Sequence, residues 1–142
     1  MNCVFKLNQT ADTILYIGLW DSASTAPAGG TDPLNAKNGF ALVIDGANFK
    51  IAHNDAGGAT VFDDLQPEAP VDTSTYILKI DVADNNAFRL SLTKYSTVNA
   101  ASTLTVTSEI PDPTQFLTGV LVTETAAAAA KSINVHRWEM FC

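Results

Sequence analysis

The sequence predicts an all-β fold, an antiparallel sandwich or barrel of about ten strands. Three observations lead there. Apolar residues alternate with polar ones in short runs, Gly, Pro, Asn and Asp separate those runs, and a helical period is nearly absent. Alternate residues of a strand point to opposite faces, so this spacing is that of sheets with one face in a core.

Taken in chain order, the first strand is "CVFKLN" and the second "TILYIGLW", starting at Thr13. "GFALVIDGANFKIAH" reads as a hairpin: Phe40, Leu42 and Ile44 alternate, Asp45-Gly46 supplies turn chemistry, and Phe49 and Ile51 return. "TVF" after Ala59 is a short strand. "YILKIDV" sets Tyr76, Leu78, Ile80 and Val82 on one face, with Lys79 and Asp81 on the other. "FRLSLT" repeats the pattern with Phe88, Leu90 and Leu92 facing in. The intervening "ADNNA" is built of residues that tolerate tight turns, so residues 75–94 form the clearest hairpin of the chain. "STLTVTS", "FLTGVLVT" and "SINVHRWEMF" complete the strands. One short helix near 125–131 is expected at most, from five consecutive alanines with Thr125 as N-cap and Lys131 near the end.

A chain of 142 residues suits a single domain, residues 1–142, burying roughly two-thirds of its unfolded surface. Neither a change in composition nor an internal repeat divides it. Charged residues make up 16% and the net charge is −7, so the surface is built largely from Thr, Ser, Asn and Ala. The eight basic residues are all isolated, which argues against nucleic-acid binding, since that needs a basic patch. Eighteen consecutive apolar residues occur nowhere, so no membrane span is expected. The opening "MNCVFKLNQT" does not read as a signal peptide, and the chain is expected to stay in the cytosol or to leave by assembly or lysis. In the cytosol, Cys3 and Cys142 are expected to be reduced thiols, although a terminus-to-terminus disulfide is open. The sequon at Asn8 reads as chance without secretion.

The run of segments resembles the concanavalin A-like jelly-roll family of lectins, glucanases, laminin-G-like domains and related phage virion domains. "YIGLWDSAS", "NGFALVIDG" and above all "TYILKIDVADNNAFRLSLT" carry the resemblance, with "INVHRWEMF" similar to the family's final strand. The resemblance implies a jelly roll, in which that strand pairs with the first strand of the chain. Cys142 would then lie near Cys3.

Glucanases of this family place two glutamates around an aspartate on one strand, so that the carboxylates reach one sugar. None of Glu68, Glu109, Glu124 and Glu139 stands in such an ExDxE string, and an enzyme is not expected. A site in which Asn54, Asp55 and Asp63 or Asp64 hold calcium, as the lectins do, is conceivable. Plain loop chemistry is the simpler reading of those Asp, Asn and Gly residues, so neither metal nor cofactor is expected. A nucleophile triad or a two-histidine centre would need His53 and His136 together, and Cys142 as a nucleophile beside His136 would need rigidity at a chain end.

Trp20, at the end of a strand before the longest loop, is the candidate for stacking on a sugar, against a packing role in a core or at an edge. In "INVHRWEMF", strict alternation sets Ile133, Val135, Arg137, Glu139 and Phe141 on one face. Asn134, His136, Trp138 and Met140 take the other, with His136 and Trp138 as a packed strip. His136→Ala is therefore expected to lower stability.

The function expected is non-enzymatic and structural: a virion protein, such as a phage capsid decoration protein or a small fibre or spike module. Its partners would be capsid or tail proteins, and itself as a trimer. A lectin-like module recognising a surface glycan is the alternative.

Overall fold

The computed structural model describes residues 1–8, 13–21, 34–45, 48–65, 70–83, 87–96, 101–111, 117–125 and 133–140. It is an antiparallel β-sandwich. The strands are β1 (Asn2–Leu7), β2 (Thr13–Trp20), β3 (Asn38–Asp45), β4 (Asn48–Asp55), β5 (Val61–Asp64), β6 (Thr75–Ala83), β7 (Ala87–Lys94), β8 (Ala101–Val106), β9 (Thr118–Thr125) and β10 (Ile133–Glu139). Two five-stranded sheets result, sheet A in the order β10-β1-β6-β7-β8 and sheet B in the order β5-β4-β3-β2-β9. No helix occurs among the described residues. Strand β9 runs through Thr125, and the rest of the helix expected at 125–131 lies outside the described residues.

Both hairpins form as the alternation predicts. Tyr76 pairs with Lys94 and Ala83 with Ala87 in β6–β7, and Asn38 pairs with Asp55 and Asp45 with Asn48 in β3–β4. The inward residues of the two sheets meet in one core. Phe49 of sheet B stands edge-on to Tyr76 of sheet A at 5.1 Å between ring centroids, and Phe40 meets Phe88 at 5.1 Å. Val82, expected among the inward residues, is 61% exposed, because β6 has run past the end of the core there.

The two sheets differ on their outer faces. In β2 and β3 the odd and the even positions are both apolar, and both are buried. Tyr16, Trp20, Ala41, Val43 and Ala52, with Leu34 against them, form a second apolar cluster behind sheet B. Gly18 is required in this layer, since a Cβ there would lie 2.4 Å from the Phe40 carbonyl oxygen. Sheet A instead turns Lys79, Arg89, Thr103 and Thr105 to solvent.

The closing strand β10 pairs with β1, but not in strict alternation. Val4 lies opposite Arg137 and Phe5 opposite Val135, so His136 is an extra residue in a β-bulge. The bulge shifts the faces of the strand. Ile133, Val135 and Trp138 share the side of Leu7, Phe5 and Cys3, while Asn134, Arg137 and Glu139 share the other. His136 is exposed rather than packed against Trp138. Arg137 and Glu139 do face the same way and form an ion pair. Cys142, expected near Cys3, lies outside the described residues, whereas Cys3 is a buried free thiol opposite Trp138.

Candidate functional site

The polar groups expected to carry chemistry gather where β4, β5 and the start of β3 meet. His53 occupies an inward position of β4, two residues beyond Ile51, and is buried. Its Nδ1 lies 2.9 Å from the Glu109 carbonyl oxygen and its Nε2 lies 3.0 Å from Asp63 Oδ2. A carbonyl only accepts, so Nδ1 donates. An ionised carboxylate also only accepts, so the two hydrogen bonds coexist when the ring carries both protons or Asp63 carries one.

A histidine–carboxylate pair serves a nucleophile through the second ring nitrogen. Here that nitrogen is held by Glu109, whose backbone lies in the left-handed region at φ 49°. The arrangement fastens the segment after β8, in sheet A, to β4 and β5, in sheet B. Sequence reasoning missed this role of His53, although Phe49, Ile51 and His53 share one parity, a signal that it takes a core position.

The calcium ligands considered from sequence are divided by the sheet. Asp63 lies opposite Ile51 and shares its inward side, whereas Asn54 has the parity of the outward Ala52. Asn54 Nδ2 donates to the Leu34 and Gly58 carbonyls at 2.7 and 2.8 Å. Asp55 Oδ1 accepts from the Gly57 amide at 2.7 Å, an Asx turn, and Asp64 pairs in register with Lys50. Among the described residues, no three His, Cys, Asp or Glu side chains come together as a metal site. His53 and His136 belong to different sheets and do not meet.

Trp20 is 1% exposed, within the apolar layer behind sheet B, so it offers no surface to a sugar ring. Next to it, Asp21 Oδ2 accepts from the Asn38 amide at 3.0 Å and from Asn38 Nδ2 at 3.2 Å, joining the two ends of the 22–37 connection. Among the described aromatics, Tyr95, just beyond β7, is the most exposed at 65%. At one end of the sandwich an open cleft of about 410 Å³ lies between Met1, Leu19, Val82 and Met140, with Lys79 and Asp81 on its rim. The Asp81 carboxylate lies 3.6 Å from the Arg89 guanidinium.

The outer face of sheet A lies toward solvent, with Lys79, Arg89, Thr103 and Thr105 exposed on it. The strand registers set Glu139, Asn2, Lys79, Ser91 and Thr103 in one row across all five strands. Arg137, Val4, Ile77, Thr93 and Ala101 form the next row. Arg137 pairs with Glu139 and Arg89 with Asp81 within this face, and Lys6 and Lys79 add two further positive charges to it. Chemically it offers small hydroxyls, the amides of Asn2 and Asn134, two ion pairs and two further lysines on a sheet-shaped platform.

No protein-family model matches the chain, and no curated protein matches it significantly.

Proposed function

We propose that this chain is a non-enzymatic structural protein of a virion, a capsid decoration protein or a small fibre or spike module built on a concanavalin A-like jelly roll. The observation that carries the reading is the outer face of sheet A. Small ligands are held in concave, largely apolar pockets. A five-stranded face that offers Ser, Thr and Asn, two internal ion pairs and the cations Lys6 and Lys79 instead suits another protein's surface, where hydrogen bonds and charge complementarity guide docking. The fates of His53, Asn54, Asp21 and Trp20 agree with it, since each fastens strands or loops together.

The test is co-sedimentation of the purified chain with capsids or tails assembled from the structural genes flanking its own gene. Saturable binding at a fixed stoichiometry is expected, lost on Ser91→Arg/Thr103→Arg with the fold intact. Flanking genes without virion components, or binding indifferent to that double substitution, would overturn the proposal.

A glycan-binding module is the second reading. With Trp20 buried it falls to Tyr95, the exposed aromatic, to provide stacking. A glycan-array signal abolished by Tyr95→Ala would replace the structural reading by this one.

A further inference from the structure

We infer that β8 is a self-association edge: two copies of this chain pair β8 with β8 antiparallel about a two-fold axis, joining their A sheets into one of ten strands. The inference stands independently of the virion reading.

A sandwich of two open sheets has four edge strands, here β10 and β8 of sheet A and β5 and β9 of sheet B. Exposed edges pair with other chains unless they are shortened, charged, bulged or covered. Strand β5 has four residues and ends in Asp63 and Asp64. Strand β10 carries the bulge at His136 and the charges of Arg137 and Glu139. Edges β10 and β9 also lie against each other, because the Trp138 ring reaches Gly119. Among the described residues, strand β8, "ASTLTV", has none of these protections. It contains neither charge nor proline, its register with β7 runs unbroken from Ala101 to Val106, and among the described residues it pairs with β7 alone.

Charge selects the partner. Copies of a chain with net charge −7 repel one another over most approaches, but no charged residue occurs between Lys94 and Glu109. An approach along β8 therefore brings two uncharged segments together, whereas β5 would bring Asp63 and Asp64. Pairing β8 with itself is also closed: the two-fold axis uses both edges and leaves none for a third copy.

Leu104 sets the register. It lies mid-strand, opposite Leu90, and is partly exposed although it packs on the core. Leu104 opposite its own copy covers both side chains, and Thr103 then faces the partner's Thr105 on the solvent side.

Sedimentation equilibrium tests this. The wild-type chain is expected at twice its monomer mass, and Val135→Lys on the β10 edge is expected to stay dimeric. Thr103→Lys/Thr105→Lys alters two exposed side chains without touching the core and sets lysine against lysine across the seam. At least a 10-fold weaker dimer is expected. Thr103→Lys/Thr105→Glu sets opposite charges together and should restore the dimer, with far-UV circular dichroism reporting an unchanged fold in every variant. A monomeric or trimeric wild type would overturn the inference. So would a Lys/Lys variant that dimerises normally, or a Lys/Glu variant as weak as Lys/Lys.

Discussion

The indole of Trp138 lies directly over Gly119, so that one strand of each sheet is in contact across the open side of the sandwich. A Cβ at position 119 would lie 2.9 Å from Trp138 Cζ2 and 3.0 Å from the Met140 sulfur. Any larger residue at 119 must push the ring away. Gly119→Ala is expected to cost about 1–3 kcal/mol in urea denaturation, and Gly119→Val more. If the ring is the cause, the two substitutions are non-additive: Gly119→Ala costs less in a Trp138→Ala background.

Burial separates the two tryptophans. In Trp138→Phe, where Trp20 alone reports, emission should be blue-shifted and resist acrylamide. In Trp20→Phe, the half-buried Trp138 should be quenched more readily. Equal quenching in both variants would contradict the burial of Trp20 that removes it as a sugar platform.

His53 joins the two sheets through hydrogen bonds rather than apolar contact alone. His53→Ala removes a buried ring and leaves the Glu109 carbonyl without this donor, so thermal or urea denaturation should show a loss of about 2–4 kcal/mol. Asp63→Asn should cost less, since the Asp63 side chain is 44% exposed. Glu109→Gly, which relieves the positive φ, should be neutral within about 0.5 kcal/mol or stabilising.

Burial pushes the Cys3 thiol up from its ordinary 9.0 to about 11. Between these two values the unfolded chain releases a proton that the folded chain retains, so ionisation favours unfolding. The stability contributed by this thiol is present below pH 9 and falls as pH rises toward 11. Measured against Cys3→Ala in a Cys142→Ser background, that alkaline loss should be confined to the chain with Cys3. Alkylation of Cys3 at pH 8 should also be slow until denaturant is added.

His136→Ala should change stability by no more than about 0.5 kcal/mol by thermal denaturation, because the side chain is exposed at the bulge. Trp138→Ala, two residues on, should be the damaging substitution of this strand. The reverse order would contradict the register of β1 with β10.

The strands were legible because a half-buried strand writes its two faces into the sequence. "YILKIDV" and "FRLSLT" needed no further information, and β6 and β7 occupy them nearly end to end. The layer behind sheet B left a fainter sign: "TILYIGLW" and "FALVI" are apolar at both parities, as strands covered on both sides must be. Reading only Phe40, Leu42 and Ile44 from that stretch hides Ala41 and Val43. The bulge at His136 has no sign in composition, since one inserted residue reverses every later face without altering which residues are present. Partners distant in sequence were equally hidden. His53 meets Glu109 across 56 positions, and nothing local to either residue announces the other.

The pairing of β1 with β10 sets Asn2 beside Glu139 and Leu7 beside Ile133. A pulling force applied at Asn2 and Glu139 therefore acts at one end of the strand pair and across it, so its hydrogen bonds are loaded one after another. Such a pair unzips, whereas strands pulled from opposite ends share the load in shear. Tension between Asn2 and Glu139 would therefore open this sandwich from one end, the β1–β10 pair first.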